Sequence, residues 1–216
     1  MTHAAPTHLD YPIALRIAGR PVLVVGGGRI AEGRVRALLE CGAQVRVVAP
    51  EVSTALLAWA SEHSVALHQR PFEPEDLDGV AFAFTATSSP EVNRAVVTAA
   101  RSRGILANAA DAPELCDFTV PAVGRRGDLC IAVTSAGKSP TAAKAARDRA
   151  LAAIGPEFGL LTELLGKLRP RIPRPARAKA LQAIVDGGGA RLLSEGDLIA
   201  LFGLVRRSLR SARENA

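Results

Sequence analysis

Residues 21–31 read Pro-Val-Leu-Val-Val-Gly-Gly-Gly-Arg-Ile-Ala, and the order of side-chain types in that stretch decides the fold. Four residues of buried type, Val22 to Val25, run straight into Gly26-Gly27-Gly28, and apolar residues at helical spacing follow at once (Ile30, Ala31, Val35, Leu38, Leu39). That order is a strand, a tight turn and a helix N-terminus. Gly26 can take the dihedrals a sharp turn needs, and Gly28 has no side chain to keep a pyrophosphate off the backbone. Ala31 stands where a third glycine would let helix and strand pack closely. Free amides and the partial positive charge of the helix end would then hold the phosphates. Glycines also make ordinary turns, but the strand before and the helix after favour a dinucleotide site.

The next strand, Gln44 to Ala49, should end on an acid that binds the adenosine ribose. It ends in Ala49-Pro50-Glu51, so Glu51 is the only nearby acceptor. Its bland alternative is to cap the following helix, a job Ser53 and Thr54 could also do. No arginine stands at that strand end to receive a 2′-phosphate, which favours NAD over NADP.

Upstream and downstream of the turn, short apolar runs alternate with helical patterns, which predicts a parallel sheet covered on both faces. The strands are expected at Val22–Val25, Val45–Val48, Val65–Gln69, Val80–Thr85 and Ile105–Ala107, with helices at Ala31–Cys41, Ser53–His63 and Pro90–Arg103. A strand pair at Phe118–Val120 and Leu129–Thr134, joined by the polar turn Gly124–Asp128, departs from that rhythm and starts a second unit. After Pro140 the pattern is helical: Thr141–Ile154, Glu157–Leu168, then a break at Pro170, Pro173 and Pro175, then Ala176–Val185 and Asp197–Ala212. The fold class is thus α/β, with a Rossmann-type domain at 1–115, a small segment at 116–150 and a helical C-terminal domain at 151–216.

A chain of 216 residues with 48% hydrophobic content can build a real core, and only 4% aromatics means Val, Leu and Ala packing. No apolar run is long enough to span a bilayer, and the polar start with its two histidines, His3 and His8, is not a signal peptide. Cys41, Cys116 and Cys130 are too widely spaced for a disulfide framework or a metal clip, which fits a reducing cytoplasm. Of the net charge of +6, the part from Ala150 onward carries +5, with eleven Lys and Arg against six acids. Such a surface suits a polyanion. No aromatic residues are interleaved for base stacking, and Phe158 and Phe202 look like core, so a small polyanion is favoured over nucleic acid.

Ligands of such sheets bind outside the carboxyl ends of the strands. The segments there are Gly26–Ile30, Pro50-Glu51, Thr85–Ser89 (with Thr87 central), Asn108–Asp111 and Ser135–Ser139. None of His3, His8, His63 and His68 falls among them, so neither a histidine-bound metal nor a histidine base is expected. Beyond the glycine turn the notable ionisable groups are Asp111 and Lys138. Asp111, among apolar neighbours near a cofactor, is suited to moving protons, and equally suited to capping the turn before Pro113. Asp117 is its rival. Asn108 is either a turn residue or a hydrogen-bond donor to nicotinamide. Ser139-Pro140 reads as a helix start; the preceding Ser135-Ala136-Gly137-Lys138 adds a cation beside a helix N-terminus, a place that attracts carboxylates or phosphates.

The run Gly-Gly-Gly-x-x-Ala, Val-Val-Ala-Pro, Thr-Ala-Thr near Val92-Asn93, Asn-x-x-Asp-x-Pro and Ser-x-Gly-Lys-Ser-Pro resembles the precorrin-2 dehydrogenase family, the N-terminal module of siroheme synthases. Tyr11-Pro12-Ile13 and Pro156-Glu157-Phe158-Gly159 also look like that family. The likeness spans about Tyr11 to Asp197, and its later motifs are more specific than the glycine turn. It implies NAD-dependent oxidation of precorrin-2 to sirohydrochlorin and an intertwined homodimer made through 116–150. Some members also insert Fe2+, a second activity the resemblance leaves open. It assigns the essential proton acceptor to Asp111, cofactor contacts to Arg29, Ile30, Pro50 and Glu51, and places Ser135 near the tetrapyrrole. The chain departs from the pattern at Ala136, where members often carry glycine. It also lacks a methyltransferase domain, so a stand-alone dehydrogenase is expected. A non-catalytic NAD-binding regulatory module and a dehydrogenase of another small acid remain the alternatives. Eight carboxylates on precorrin-2 match the basic C-terminal third and the Lys138 loop.

Overall fold

The computed structural model describes residues 10–214; His3 and His8 lie outside them. The chain forms two compact units, Met1–Val120 and Pro121–Ala216.

In the first unit five parallel strands line up in the order β3-β2-β1-β4-β5, with β1 at Pro21–Val25, β2 at Gln44–Val48, β3 at Ala66–His68, β4 at Phe82–Thr85 and β5 at Leu106–Ala109. This is the expected Rossmann-type sheet. The helices α1 (Arg29–Glu40), α2 (Thr54–Glu62) and α3 (Pro90–Ser102) connect the strands. Alternate residues of β1 feed two cores. Val22 and Val24 pack with Ala31, Val35 and Leu38 of α1, Leu56 of α2, and Phe82 and Phe84. Leu23 and Val25 pack with Ala83, Ala107 and the α3 stripe Val96, Val97 and Ala100. A strand buried on both faces reads as a continuous apolar run, which is why Val22–Val25 shows no alternation. The order of strands reverses between β1 and β4, and a crevice opens at that switch point, at the strands' carboxyl ends.

The second unit starts with an antiparallel hairpin, β6 (Ala122–Arg126) and β7 (Leu129–Val133), in the register Arg126↔Leu129. This corrects the expected first strand at Phe118–Val120. Phe118 is apolar because its ring packs edge-on against Phe82 and Phe84 in the core of the first unit. The turn shrinks to Gly127-Asp128, where Gly127 at φ +55° takes the first position that a two-residue hairpin reserves for glycine. One hairpin face packs on α4 (Pro140–Ala153), close enough that a β-carbon on Gly124 would run into Leu151.

Four further helices, α5 (Glu157–Leu168), α6 (Arg174–Asp186), α7 (Gly189–Glu195) and α8 (Leu198–Glu214), enclose Leu161, Leu168, Ile172, Ala176, Ala180 and Ile184. Helix α7 has no counterpart in the sequence reading, because Gly187-Gly188-Gly189 looks like a loop. Gly188, at φ +81°, is in fact its N-cap. Phe202 is a second correction. It is 69% exposed and shares an outward face of α8 with Leu198 and Ile199 rather than joining the core. No helix among the described residues is long and apolar enough to cross a membrane.

Candidate functional site

The glycine turn is built by three glycines with three different constraints. Gly26 has φ +128°, and a β-carbon there would lie 2.5 Å from the carbonyl oxygen of Ala86, so it closes the switch point between β1 and β4. A β-carbon on Gly27 would overlap the carbonyl oxygen of Glu51. Gly28 is the N-cap of α1, faces open space, and leaves the first amides of the helix without a side-chain cap. Those amides and that empty space are what a pyrophosphate needs, so the turn fits a dinucleotide.

Arg29 and Ile30 follow as exposed residues at the helix start, and Pro50 and Glu51 are exposed after β2. Ser53, rather than Glu51, caps α2 by accepting from the Leu56 amide. Its hydroxyl donates to Glu32 in the first turn of α1, and its own amide donates to Gly27 O at 2.9 Å. Ser53 therefore ties the end of β2 to the glycine turn.

Next to the turn lies a cleft of about 390 Å3 lined by Ile30, Ala86, Thr87, Arg94, Asp111 and Glu114, among others. Its β4 side is held by Asn93, which is 6% exposed. The Asn93 Oδ1 accepts from the hydroxyls of Thr85 and Thr87 and from the Thr87 amide, and its Nδ2 donates to Thr87 O. The Thr87 hydroxyl is consequently spent on the loop itself.

Asp111 lies on the other side of the cleft, exposed, just after β5. Its backbone is left-handed, φ +59°, a conformation that Asp tolerates better than most residues. Hydrogen bonds from Ala110 N to Thr85 O and from Ala112 N to Ala109 O hold the flanking peptides.

The rival Asp117 is fully committed elsewhere: Oδ1 accepts from Arg101 at 2.8 Å and Oδ2 from the Ala107 amide at 2.9 Å. It does not line the cleft. Nor does Asn108, whose Nδ2 donates to Phe118 O at 2.8 Å and to the Cys116 sulfur. Asn108 lies within β5, so it is not the turn residue that one of its two expected roles required, and its amide instead ties Phe118 to the strand. Arg34, one turn on from Ile30, places its guanidinium 4.6 Å over the Phe84 ring, and burial pushes its pKa down.

In the second unit, Ser135 to Ser139 forms a tight loop. Ala136 and Gly137 have φ of +50° and +75°. Lys138 N donates to Ser135 O, Ser139 N donates to the Ser135 hydroxyl, and the Ser139 hydroxyl caps α4 by accepting from Ala142 N. The Lys138 side chain is exposed and has no acidic partner among the described residues.

Four residues of the first unit escaped the sequence reading: Gly27, Asn93 as an organiser, Arg94 and Glu114. Asn93 carried a usable signal, being the one polar residue on the buried stripe Asn93-Val96-Val97-Ala100 of α3. The others carried none, since exposed charges on a helix and a third glycine in a row have ordinary explanations.

A family model described as "Putative NAD(P)-binding" matches residues 13–122. Among curated proteins, the siroheme synthase of Methylococcus capsulatus is 37% identical over 194 residues, covering 87% of this chain and 41% of that protein. The siroheme synthase of Methylobacillus flagellatus is 40% identical over 161 residues, covering 74% and 34% respectively. The chain thus spans less than half the length of these relatives. Among solved structures, SirC, a precorrin-2 dehydrogenase, superposes with a TM-score of 0.74 at 27% identity, over 92% of this chain and 98% of that one.

Proposed function

The chain belongs to the NAD(P)-binding family, and on that premise we propose that it is a dehydrogenase that oxidises precorrin-2 to sirohydrochlorin in siroheme biosynthesis. The observation that carries this reading is the likeness to a precorrin-2 dehydrogenase over 98% of that protein's length. Asp111 on a cleft beside the glycine turn supports it chemically. NAD, when bound, accepts the hydride that leaves the reduced macrocycle.

The chain's residues do the rest. The uncapped amides of α1 hold the pyrophosphate over Gly28, with Arg29, Ile30 and Pro50 beside it, and Glu51 receives the adenosine ribose. That acid, without an arginine next to it after β2, favours NAD over NADP. Asp111 takes the proton that must depart with the hydride. Lys138, with Ser135, Gly137 and Ser139 of its loop, holds substrate carboxylates.

The segment 116–150 serves as the dimer contact and 151–216 as a helical domain. The hairpin supports the first of these, since Val123, Arg125, Cys130 and Ala132 all face outward and a two-stranded sheet is marginal alone. A second copy of the chain covers that face. No disulfide joins Cys41, Cys116 or Cys130, which fits a reducing cytoplasm. Incubation with NAD and freshly made precorrin-2 should give the sirohydrochlorin spectrum together with reduced nicotinamide, and neither would form if the reading is wrong.

A further inference from the structure

The cleft beside Asp111 contains a second charged group that the proposed chemistry has not used. Among the described residues Arg94 is the only cation lining it, against two acids, Asp111 and Glu114. Its backbone is anchored, because the residue before it is Asn93, whose side chain bonds both threonines of the β4 loop. No carboxylate oxygen comes within 4 Å of the Arg94 guanidinium among the described residues. Glu91, one turn back on α3, accepts from the Ser89 hydroxyl at 2.8 Å, and that bond, more than the weaker pull of the Arg94 charge, holds its carboxyl below the usual range. A cation with no close ion pair at the rim of a cleft, with apolar Ile30 and Leu115 on the same lining, is ready for an anionic, otherwise apolar ligand.

Which anion follows from the topology. A dinucleotide laid across the switch point puts its adenosine half toward β2 and its reactive half toward β4. Arg94 and Asp111 come from the segments after β4 and β5, so both belong to the reactive half. The phosphates stay at the end of α1. What reaches Arg94 is therefore a group of the molecule being oxidised.

We propose that Arg94 is a substrate-positioning residue that pairs with one rim carboxylate of the tetrapyrrole and thereby turns the carbon to be oxidised toward Asp111. The assignment rests on the function proposed above. An octacarboxylate entering a cleft with two acids and no cation would be repelled. A guanidinium fork offsets that repulsion and also fixes the angle of approach, because it binds a carboxylate through two parallel hydrogen bonds.

The test uses the whole protein as wild type, Arg94→Gln and Arg94→Lys, with circular dichroism to confirm that this exposed position leaves the fold intact. Arg94→Gln should raise KM for precorrin-2 by about 10-fold, the scale of losing one hydrogen bond to a charged group. It should also lower kcat, because the macrocycle is no longer held at the productive angle, while leaving NAD affinity little changed and flattening the salt dependence of kcat/KM. Arg94→Lys should recover part of the loss. An active wild type with an unchanged KM in Arg94→Gln, or with NAD affinity falling in step, would overturn this role and leave the function standing. A wild type that binds NAD but does not oxidise precorrin-2 would overturn both.

Discussion

Gly27 lies against the carbonyl oxygen of Glu51 so closely that no β-carbon fits between them. Its neighbour Gly28 faces open space. The first glycine is required by the protein's own backbone; the second meets no such constraint, and the proposed dinucleotide supplies its reason.

Substitution should separate them. Gly27→Ala forces the β2 end away from the turn, an overpacking cost of about 3 kcal/mol, and should lower the thermal midpoint by about 6 °C or more. Gly28→Val, at φ −93°, meets neither strain nor collision, so the midpoint should hold while NAD binding is abolished. Calorimetry and an NAD titration on both variants check this; retained NAD binding in Gly28→Val would move the site.

Asp111 and Asp117 should part in the same way. Asp111→Asn keeps shape but removes the basic oxygen, so turnover should fall by roughly 10²-fold with NAD binding preserved. Asp117→Asn gives up the Arg101 ion pair, which is part-exposed, and should cost about 1 kcal/mol of stability with little effect on rate. Normal turnover in Asp111→Asn would end its proposed role.

Raising ionic strength should weaken precorrin-2 binding much more than NAD binding. On the proposed function the substrate's carboxylates would meet exposed cations such as Lys138 and Arg94, whose attraction is screened by salt. The pyrophosphate would be held by backbone amides at a helix end, through short directional bonds. Parallel salt responses in the two titrations would count against this.

The cysteines offer a probe of the proposed dimer. Burial pushes the Cys116 thiol up, and its sulfur bonds to Ala109 O, so it should resist alkylation at neutral pH. Cys130 stands on the outward face of the hairpin. Mass spectrometry should find Cys130 alkylated in dilute protein and protected in concentrated protein. Equal labelling at every concentration would sink the idea that a second copy covers this face.

The glycine turn, all five parallel strands and most helices were legible because each rests on local rules: continuous apolar runs, helical spacing, Ser-Pro starts. What was hidden depended on contacts distant in sequence. Phe118 looked like a strand start and proved to be a core ring of the first unit, which displaced the first hairpin strand to Ala122–Arg126. Helix α7 was masked by a cap residue that only a left-handed backbone explains. At the site, spacing could not choose between Asp111 and Asp117. Their surroundings differ, since a partner sixteen residues away, Arg101, takes up Asp117 while Asp111 lines the cleft, and this supports the proposed role of Asp111.

Asn93 has a consequence that would appear in hydrogen exchange. Loops that meet ligands usually sit at the unstable end of a protein's range of local openings. Here the segment after β4 is held to α3 by a side chain that bonds Thr85 and Thr87, including the Thr87 amide. That amide should exchange as slowly as those of the helix, and Asn93→Ala should release it selectively. One wall of the cleft is then a rigid template, already shaped before anything binds, and little ordering entropy is left to be lost when the reactive half of the cofactor arrives.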